Sequence, residues 1–253
     1  MLKSILSGLA DLVFPRHCIL CRQYHPRTAL DPVCPSCRNS LPWNTPPFCA
    51  RCSRHLQAVS EESLCPSCRQ NPPRFDEAWA LLRYESTARD ILQHFKFHNK
   101  TSLRHTFTTL LAYFINQYSL RFPNAAAVIP MPLHPVRLRE RGYNQAGLLA
   151  ESAAHILGLP CRYDILERTR ATPRQSELDA KERWTNIKGA FRIKPLADIT
   201  GSTIILVDDI VTTGATASEA AGTLKDAGAS RVIIISLAIA SCESCATTSL
   251  TNA

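Results

Sequence analysis

Four Cys-x-x-Cys pairs crowd the start of the chain: Cys18/Cys21, Cys34/Cys37, Cys49/Cys52 and Cys65/Cys68. A two-residue gap turns the backbone so that both thiolates meet one ion about 2.3 Å from each sulfur, and two such turns complete a tetrahedral zinc site. These cysteines therefore predict two structural four-cysteine sites. Disulfides are the competing use, but the repeated spacing, with no secretion-type cleavage pattern before it, favours metal in a reducing compartment. Sequence order places Cys18, Cys21, Cys34 and Cys37 on one ion and Cys49, Cys52, Cys65 and Cys68 on the other, each set closing a short loop. Interleaved pairing, the first pair with the third, is the alternative. CPSC recurs at 34–37 and 65–68, which points to one ribbon duplicated. A Pro-rich stretch so poor in large apolar side chains cannot build a core, so the metal supplies its folding energy.

Metal ligation also changes the meaning of the charge. Two four-cysteine zinc sites each carry two net negative charges, which halves the formal +8 of the 253-residue chain. Basicity is then weak support for a nucleic-acid partner. With 45% apolar and 20% charged residues the composition is that of a globular protein, which excludes disordered, collagen-like and coiled-coil chains. No apolar run reaches the ~18 residues of a membrane span. Leu2, Ile5, Leu6, Leu9, Leu12 and Val13 fall at helical spacing and predict a short amphipathic helix, docked on its own domain and ending near Pro15. The expectation is a cytoplasmic protein without stable membrane insertion.

Beyond residue 72 the pattern changes. The Pro-rich QNPPRF at 70–75 reads as a linker and divides the chain into 1–72, 73–240 and a flexible tail at 241–253. An apolar run at 79–84 precedes helical stretches at 86–97 and 103–120, with Ile91, Leu92, Phe95, Leu110, Leu111, Phe114 and Ile115 on apolar faces. Strands at 125–132, 161–167, 203–210 and 231–240 then alternate with helices at 143–158 and 215–228. This order predicts an α/β fold with a parallel sheet covered on both faces. Ligands of such sheets sit where strands end and helices begin.

The sharpest chemistry lies in IILVDDIVTTGATASE at 204–219. An apolar strand ends in Asp208 and Asp209, and after Ile210 and Val211 the chain enters Thr212, Thr213, Gly214, Ala215 and Thr216, which open a helix. Backbone N–H groups, hydroxyls and the positive end of a helix form a cradle for phosphate. The carboxylates suit hydroxyls or a cation, and a ribose diol is the natural object beside a 5-phosphate. The Gly-Lys-Ser/Thr ending of a Walker loop is missing.

This stretch closely resembles the phosphoribosyl-pyrophosphate (PRPP) motif of type I phosphoribosyltransferases. With RERGYNQ at 139–145, ERTRATPRQSEL at 167–178, ERWTNIKGAF at 182–191 and the preceding ribbons, nearly the whole chain resembles the ComF family of competence proteins. The resemblance implies a phosphoribosyltransferase-like domain at 73–240 behind a double zinc ribbon. It gives Asp208 and Asp209 the catalytic role, on the ribose hydroxyls, and gives the 5-phosphate to the loop from Val211 to Thr216. It also implies that Arg137, Arg139 and Arg141, in the loop from Met131 to Arg141, neutralise the pyrophosphate, and that Mg2+ bridges pyrophosphate and sugar oxygens, held largely by ligand and water. The charged segment 168–190, with Arg168, Arg170, Arg174 and Lys181, suits a lid, to which Gln175 and Asn186 also belong.

His94, His98 and His105 read as surface or packed histidines, and the scattered Trp43, Trp79 and Trp184 define no stacking platform. Cys242 and Cys245 read as an unstructured pair in the tail. Two functions stay open: an enzyme moving phosphoribosyl from PRPP to an acceptor, and an adaptor in natural transformation that binds single-stranded DNA or DNA-uptake proteins and senses PRPP.

Overall fold

The computed structural model describes residues 17–25, 31–57, 63–97, 102–172, 180–195 and 197–241. The expected N-terminal helix, His98, Arg174, Gln175 and the Cys242/Cys245 pair lie outside them, as does the side chain of Lys181.

Two short helices, α1 (Pro35–Asn39) and α2 (Pro66–Gln70), each begin inside a Cys-x-x-Cys turn. The strand β1 (Glu77–Arg83) and the helices α3 (Ser86–Phe97) and α4 (Leu103–Gln117) follow. The chain continues through β2 (Ala125–Pro130), α5 (Pro135–Arg141), α6 (Gln145–Leu157), β3 (Leu166–Arg168), α7 (Ala180–Ile187) and β4 (Phe191–Ile193). It ends in β5 (Thr203–Val211), α8 (Ala215–Asp226) and β6 (Arg231–Ile239).

The main sheet has the order β1-β6-β5-β2 and is parallel throughout. Its strands are apolar on both faces because both faces are covered. Leu81, Val128, Ile205, Val207, Ile233 and Ile235 pack with α3, α4 and α6. Ile129, Ile204, Leu206, Val232 and Ile234 pack with Ala217, Ala220, Ala221 and Leu224 of α8.

Three expectations are corrected. The stretch 161–167 is not a core strand: Cys161 makes an isolated parallel bridge to Val128, and only Leu166–Arg168 forms a ladder, antiparallel to Phe191–Ile193. Between them the backbone bends, and Arg162 grips Asp164 at 2.7 Å, a local pairing that competes with extended structure. The segment Met131–Arg141 is not all loop, because Pro135 at the first helical turn, the His134 cap and Gly142 at φ 77° enclose a helix. Nor does 70–75 behave as a free linker. Phe75 is 1% exposed, the Arg74 backbone N–H donates to Ser218 Oγ at 2.9 Å, and the Arg74 guanidinium pairs with Asp226.

The ribbons also dock on the sheet. The segment between them pairs antiparallel with β1: Asn44 N–H donates to the Leu81 carbonyl at 2.9 Å, and Arg83 N–H to the Pro42 carbonyl at 2.8 Å. Buried Asn44 adds side-chain donations to the carbonyls of Ser53 (2.7 Å) and Ala80 (3.2 Å). Two of the scattered tryptophans belong to this junction, Trp43 against Tyr113 of α4 at 5.3 Å and Trp79 against Tyr118 at 6.2 Å. Trp184 is exposed on α7, His105 is exposed on α4, and His94 is half-buried.

Candidate functional site

At the C-terminal ends of β2 and β5 lies a cleft of about 520 Å³ that includes Asp208, Asp209, Thr212 and Thr216. Successive strand residues face opposite sides of a sheet. Asp209 therefore falls on the side of Ile205 and Val207, beneath α3, where Lys96 Nζ meets its Oδ2 at 3.0 Å. Asp208 falls on the other side, and its Oδ1 accepts the Asp209 N–H at 2.8 Å. Burial, and then the neighbouring Asp209 charge, push the Asp208 carboxyl up to about 7, against the pull of Lys96 and Arg168. Adjacent acids thus have separate environments, one paired with a cation and one poised to give up a proton near neutrality.

The loop after β5 closes as the motif requires. Gly214 adopts φ 86°, a left-handed conformation costly for other residues, and caps α8. Thr213 Oγ1 accepts the Ala215 N–H at 3.3 Å, while Thr212 and Thr216 line the cleft. Val211 and Ala215 are buried as packing beneath the loop.

On the opposite wall, α5 sorts its arginines by helical geometry. Arg137 and Arg141, four residues apart, share a face and line the cleft; Arg139, two residues from each, is exposed outside the lining. Arg137 pairs with Glu140 at 2.8 Å, and Arg141 donates to Gln145 Oε1 at 3.1 Å. Arg168 enters the cleft from β3, lies 5.7 Å from the Phe191 ring centre and donates to Thr172 Oγ1. Burial lowers its guanidinium pKa, and its Nε is buried without a hydrogen-bond partner. An unused buried donor beside a cleft suits an anionic ligand oxygen. Arg170 instead ties the chain after β3 to the end of α7, donating to the carbonyls of Asn186 (2.7 Å) and Lys188 (2.6 Å). The Asn186 amide nitrogen is buried without a partner.

Lys96, Asn144, Gln145 and Arg183 also line the cleft. Sequence reading missed them, although the last three lie in segments singled out for their resemblance. Tyr143 donates its hydroxyl to the Phe95 carbonyl, and Gln145 Nε2 donates to the Lys96 carbonyl at 3.4 Å. The YNQ stretch thereby fixes the end of α3 that carries Lys96 over Asp209. Asn144 donates to the Met131 carbonyl at 3.1 Å, and its own side-chain oxygen is buried without a partner.

The cysteines cluster in sequential order, with all ligand sulfurs of each set within 4.8 Å of one another. Cys21 and Cys34 sulfurs stand 3.8 Å apart, and Cys52 and Cys65 sulfurs 3.7 Å. A tetrahedron with bonds of about 2.3 Å has edges of about 3.8 Å, so the donor sets fit zinc. Backbone N–H groups of Cys34 and Cys65 donate to Cys18 Sγ (3.4 Å) and Cys49 Sγ (3.3 Å), as thiolate ligands require. The second set is buried throughout, whereas Cys21 of the first is exposed.

Fold and site together define a class, a double zinc ribbon joined to a phosphoribosyltransferase-type domain. The family model of the double zinc ribbon domain matches residues 9–72, and that of the phosphoribosyl transferase domain matches residues 143–244. Competence protein F of Haemophilus influenzae is 32% identical over 171 residues, covering 66% of this chain and 74% of that protein. DNA utilization protein YhgH of Salmonella typhi is 31% identical, covering 64% of this chain and 72% of that protein. Among solved structures, a purine phosphoribosyltransferase from Pyrococcus horikoshii is 18% identical, covering 54% of this chain and 73% of that one, at a TM-score of 0.33. The chain belongs to the competence protein F (ComF) family.

Proposed function

We propose that the cleft binds PRPP with Mg2+ and that the protein transfers phosphoribosyl to an acceptor, releasing pyrophosphate, in a cytoplasmic pathway of DNA uptake or use. One observation carries this reading: a single cleft brings together the paired acids, Thr212 and Thr216 of the phosphate loop, and Arg137, Arg141 and Arg168. The names of the relatives, competence protein and DNA utilization protein, support the cellular role.

The roles follow from charge and position. The Thr212–Thr216 loop receives the 5-phosphate at the start of α8. Asp208 and Asp209 accept hydrogen bonds from the ribose hydroxyls and stabilise positive charge as the sugar becomes cation-like, while Arg137, Arg141 and Arg168 neutralise the departing pyrophosphate. Mg2+ would be held largely by the ligand's own oxygens and water and would add charge neutralisation there; the Asp208 carboxyl, whose charge Lys96 and Arg168 only partly offset, fits a site into which a cation is carried. The lid over 168–190, with Arg174, Gln175 and Lys181 alongside Arg170 and Asn186, excludes water from the reacting sugar. A second reading, an adaptor that binds single-stranded DNA and uses PRPP as a regulatory ligand, draws on the Trp43–Tyr113 pair beside the ribbons, where Tyr113 is 57% exposed. Salt-sensitive single-strand binding mapping to 1–72, without acceptor-dependent pyrophosphate release, distinguishes it.

Calorimetry of PRPP–Mg2+ binding to the wild type tests the shared premise. The Asp208 carboxyl is largely protonated below about 7 and must ionise to hold the diol. Affinity therefore rises from pH 6 to 8, and binding near pH 6.5 releases up to about one proton that Asp208→Asn does not release. Equal proton release by wild type and variant contradicts the assignment.

Helical phase makes a separate prediction on pyrophosphate. Arg141→Ala weakens PRPP binding about tenfold or more, the worth of one charge-assisted hydrogen bond. Arg139→Ala changes it less than about twofold, as expected of a solvated surface charge. Equal losses in the two variants would remove α5 from the pyrophosphate site.

A further inference from the structure

Arg54 follows the third Cys-x-x-Cys turn, Cys49/Cys52, and is 6% exposed, an unusual burial for a guanidinium. Its backbone belongs to the metal knuckle, since the Arg54 carbonyl accepts the Cys49 N–H at 2.7 Å. Its side chain reaches three parts of the molecule. Nη1 donates to Cys52 Sγ at 3.7 Å, Nε to the Ala240 carbonyl just beyond β6 at 3.2 Å, and Nη2 to the Thr212 carbonyl.

The guanidinium is a rigid plane, so these contacts are not independent. A four-cysteine zinc site carries two net negative charges, and a cation beside one of its sulfurs is held by that charge as well as by geometry. At the other end of the plane, the bond to Thr212 sets a peptide. In a trans peptide C=O and N–H point in opposite directions. With the Thr212 carbonyl drawn toward the ribbon, the Thr213 N–H is turned away from it, out of the ribbon side of the loop.

We propose that Arg54 is a positioning residue for the phosphate loop, coupling the metal in the second cysteine site to the orientation of the Thr212–Thr213 peptide. The proposal rests on the reading of 212–216 as the PRPP cradle. Arg54 touches no substrate; it acts through the loop backbone. Coupling of this kind is reciprocal while the guanidinium fork joins the two parts, so in the wild type a ligand that orders the loop also tightens metal retention.

Hydrogen exchange of the zinc-loaded full chain reads the loop without any ligand, and it is run on wild type, Arg54→Ala and Arg54→Lys. In Arg54→Ala, exchange of the 212–216 amides rises about tenfold or more while the β2 amides are unchanged, as local opening requires. One of the two zinc ions passes to a chelator about tenfold faster, as for loss of a partner to a metal ligand. Lysine keeps the charge near Cys52 but not the fork, so Arg54→Lys retains its zinc and still loses loop protection. That split is one a merely structural residue does not produce, and it remains readable if the alanine variant fails to fold. Unchanged loop exchange in Arg54→Lys, or loosening of β2 together with the loop, overturns the proposal. PRPP calorimetry on the same samples separates the two readings: a wild type that binds no PRPP overturns the cradle, while the zinc-to-loop coupling is still judged by the exchange data.

Discussion

Asp208→Asn/Asp209→Asn is expected to lower the affinity for PRPP–Mg2+ by about a hundredfold or more in calorimetry, because each carboxylate gives up a charge-assisted hydrogen bond of ~1.5–3 kcal/mol. The single variants separate binding from folding. In the native protein the Asp208 carboxyl sits near 7, above its ordinary 3.8, so ionising it opposes folding. That cost is absent below the ordinary value, grows between about 4 and 7 and is complete above the folded value. Asp208→Asn carries no such charge and is expected to melt higher than wild type at pH 8 while binding PRPP poorly. Asp209→Asn strands Lys96, which is otherwise 3.0 Å from a carboxylate oxygen, and is expected to melt lower. A double variant that binds PRPP like the wild type would falsify the diol assignment.

Loss of the second metal site is expected to be the most damaging single lesion to stability. Cys49, Cys52, Cys65 and Cys68 are all buried, and they share one apolar cluster with Phe75, Ala78, Ala80 and the α8 face of the sheet. Cys65→Ser/Cys68→Ser therefore does more than free a loop: it leaves a vacated metal site within the main core. Metal analysis is expected to find one zinc ion instead of two. A cost of about 4 kcal/mol, within the usual range for losing a structural metal or an equivalent cross-link, lowers Tm by about 10 °C in a chain of this size. The matching lesion at the first site, Cys18→Ser/Cys21→Ser, removes buried Cys18 from the cluster on the other face of the sheet but also Cys21, which is exposed, so its drop in Tm is expected to be smaller. Equal losses at the two sites would mean that the complete burial of the second ligand set adds nothing to the stability that its metal contributes.

What could be read in advance divides by distance along the chain. The cysteine pairs and the 204–219 motif are contiguous, so spacing alone carries the ligand sets and the strand-loop-helix form. The sequential metal pairing, reasoned from short loop closure, is the one the sulfurs adopt. Residues brought in from elsewhere were not legible: Lys96 lies on α3 and meets Asp209 through the core packing of that helix and the bonds of Tyr143 and Gln145 to its last turn. Arg137, Arg139 and Arg141 look equivalent in a loop and are not so on a helix. Here local signals did exist, in the Pro135 start and the Gly142 stop, but alternating arginines drew attention to charge over phase. The stretch 161–167 misled because its apolar ends suggest a strand, whereas the Arg162–Asp164 pair bends the backbone between them. Gln175 and Arg174 fall outside the described residues and keep only their sequence-based assignment.

The backbone pairing of Pro42–Asn44 with β1 has a practical side. β1 is an outer strand of the sheet, and this short segment occupies the Leu81 carbonyl and the Arg83 N–H on its open margin. A chain begun at residue 73 would keep the strand and lose its cover, exposing an open hydrogen-bonding margin of the kind that recruits other strands. Such a truncation invites self-association, so the ribbon region guards solubility in addition to holding metal. Isolating the phosphoribosyltransferase-type half for crystallisation or screening is then best done with that segment retained.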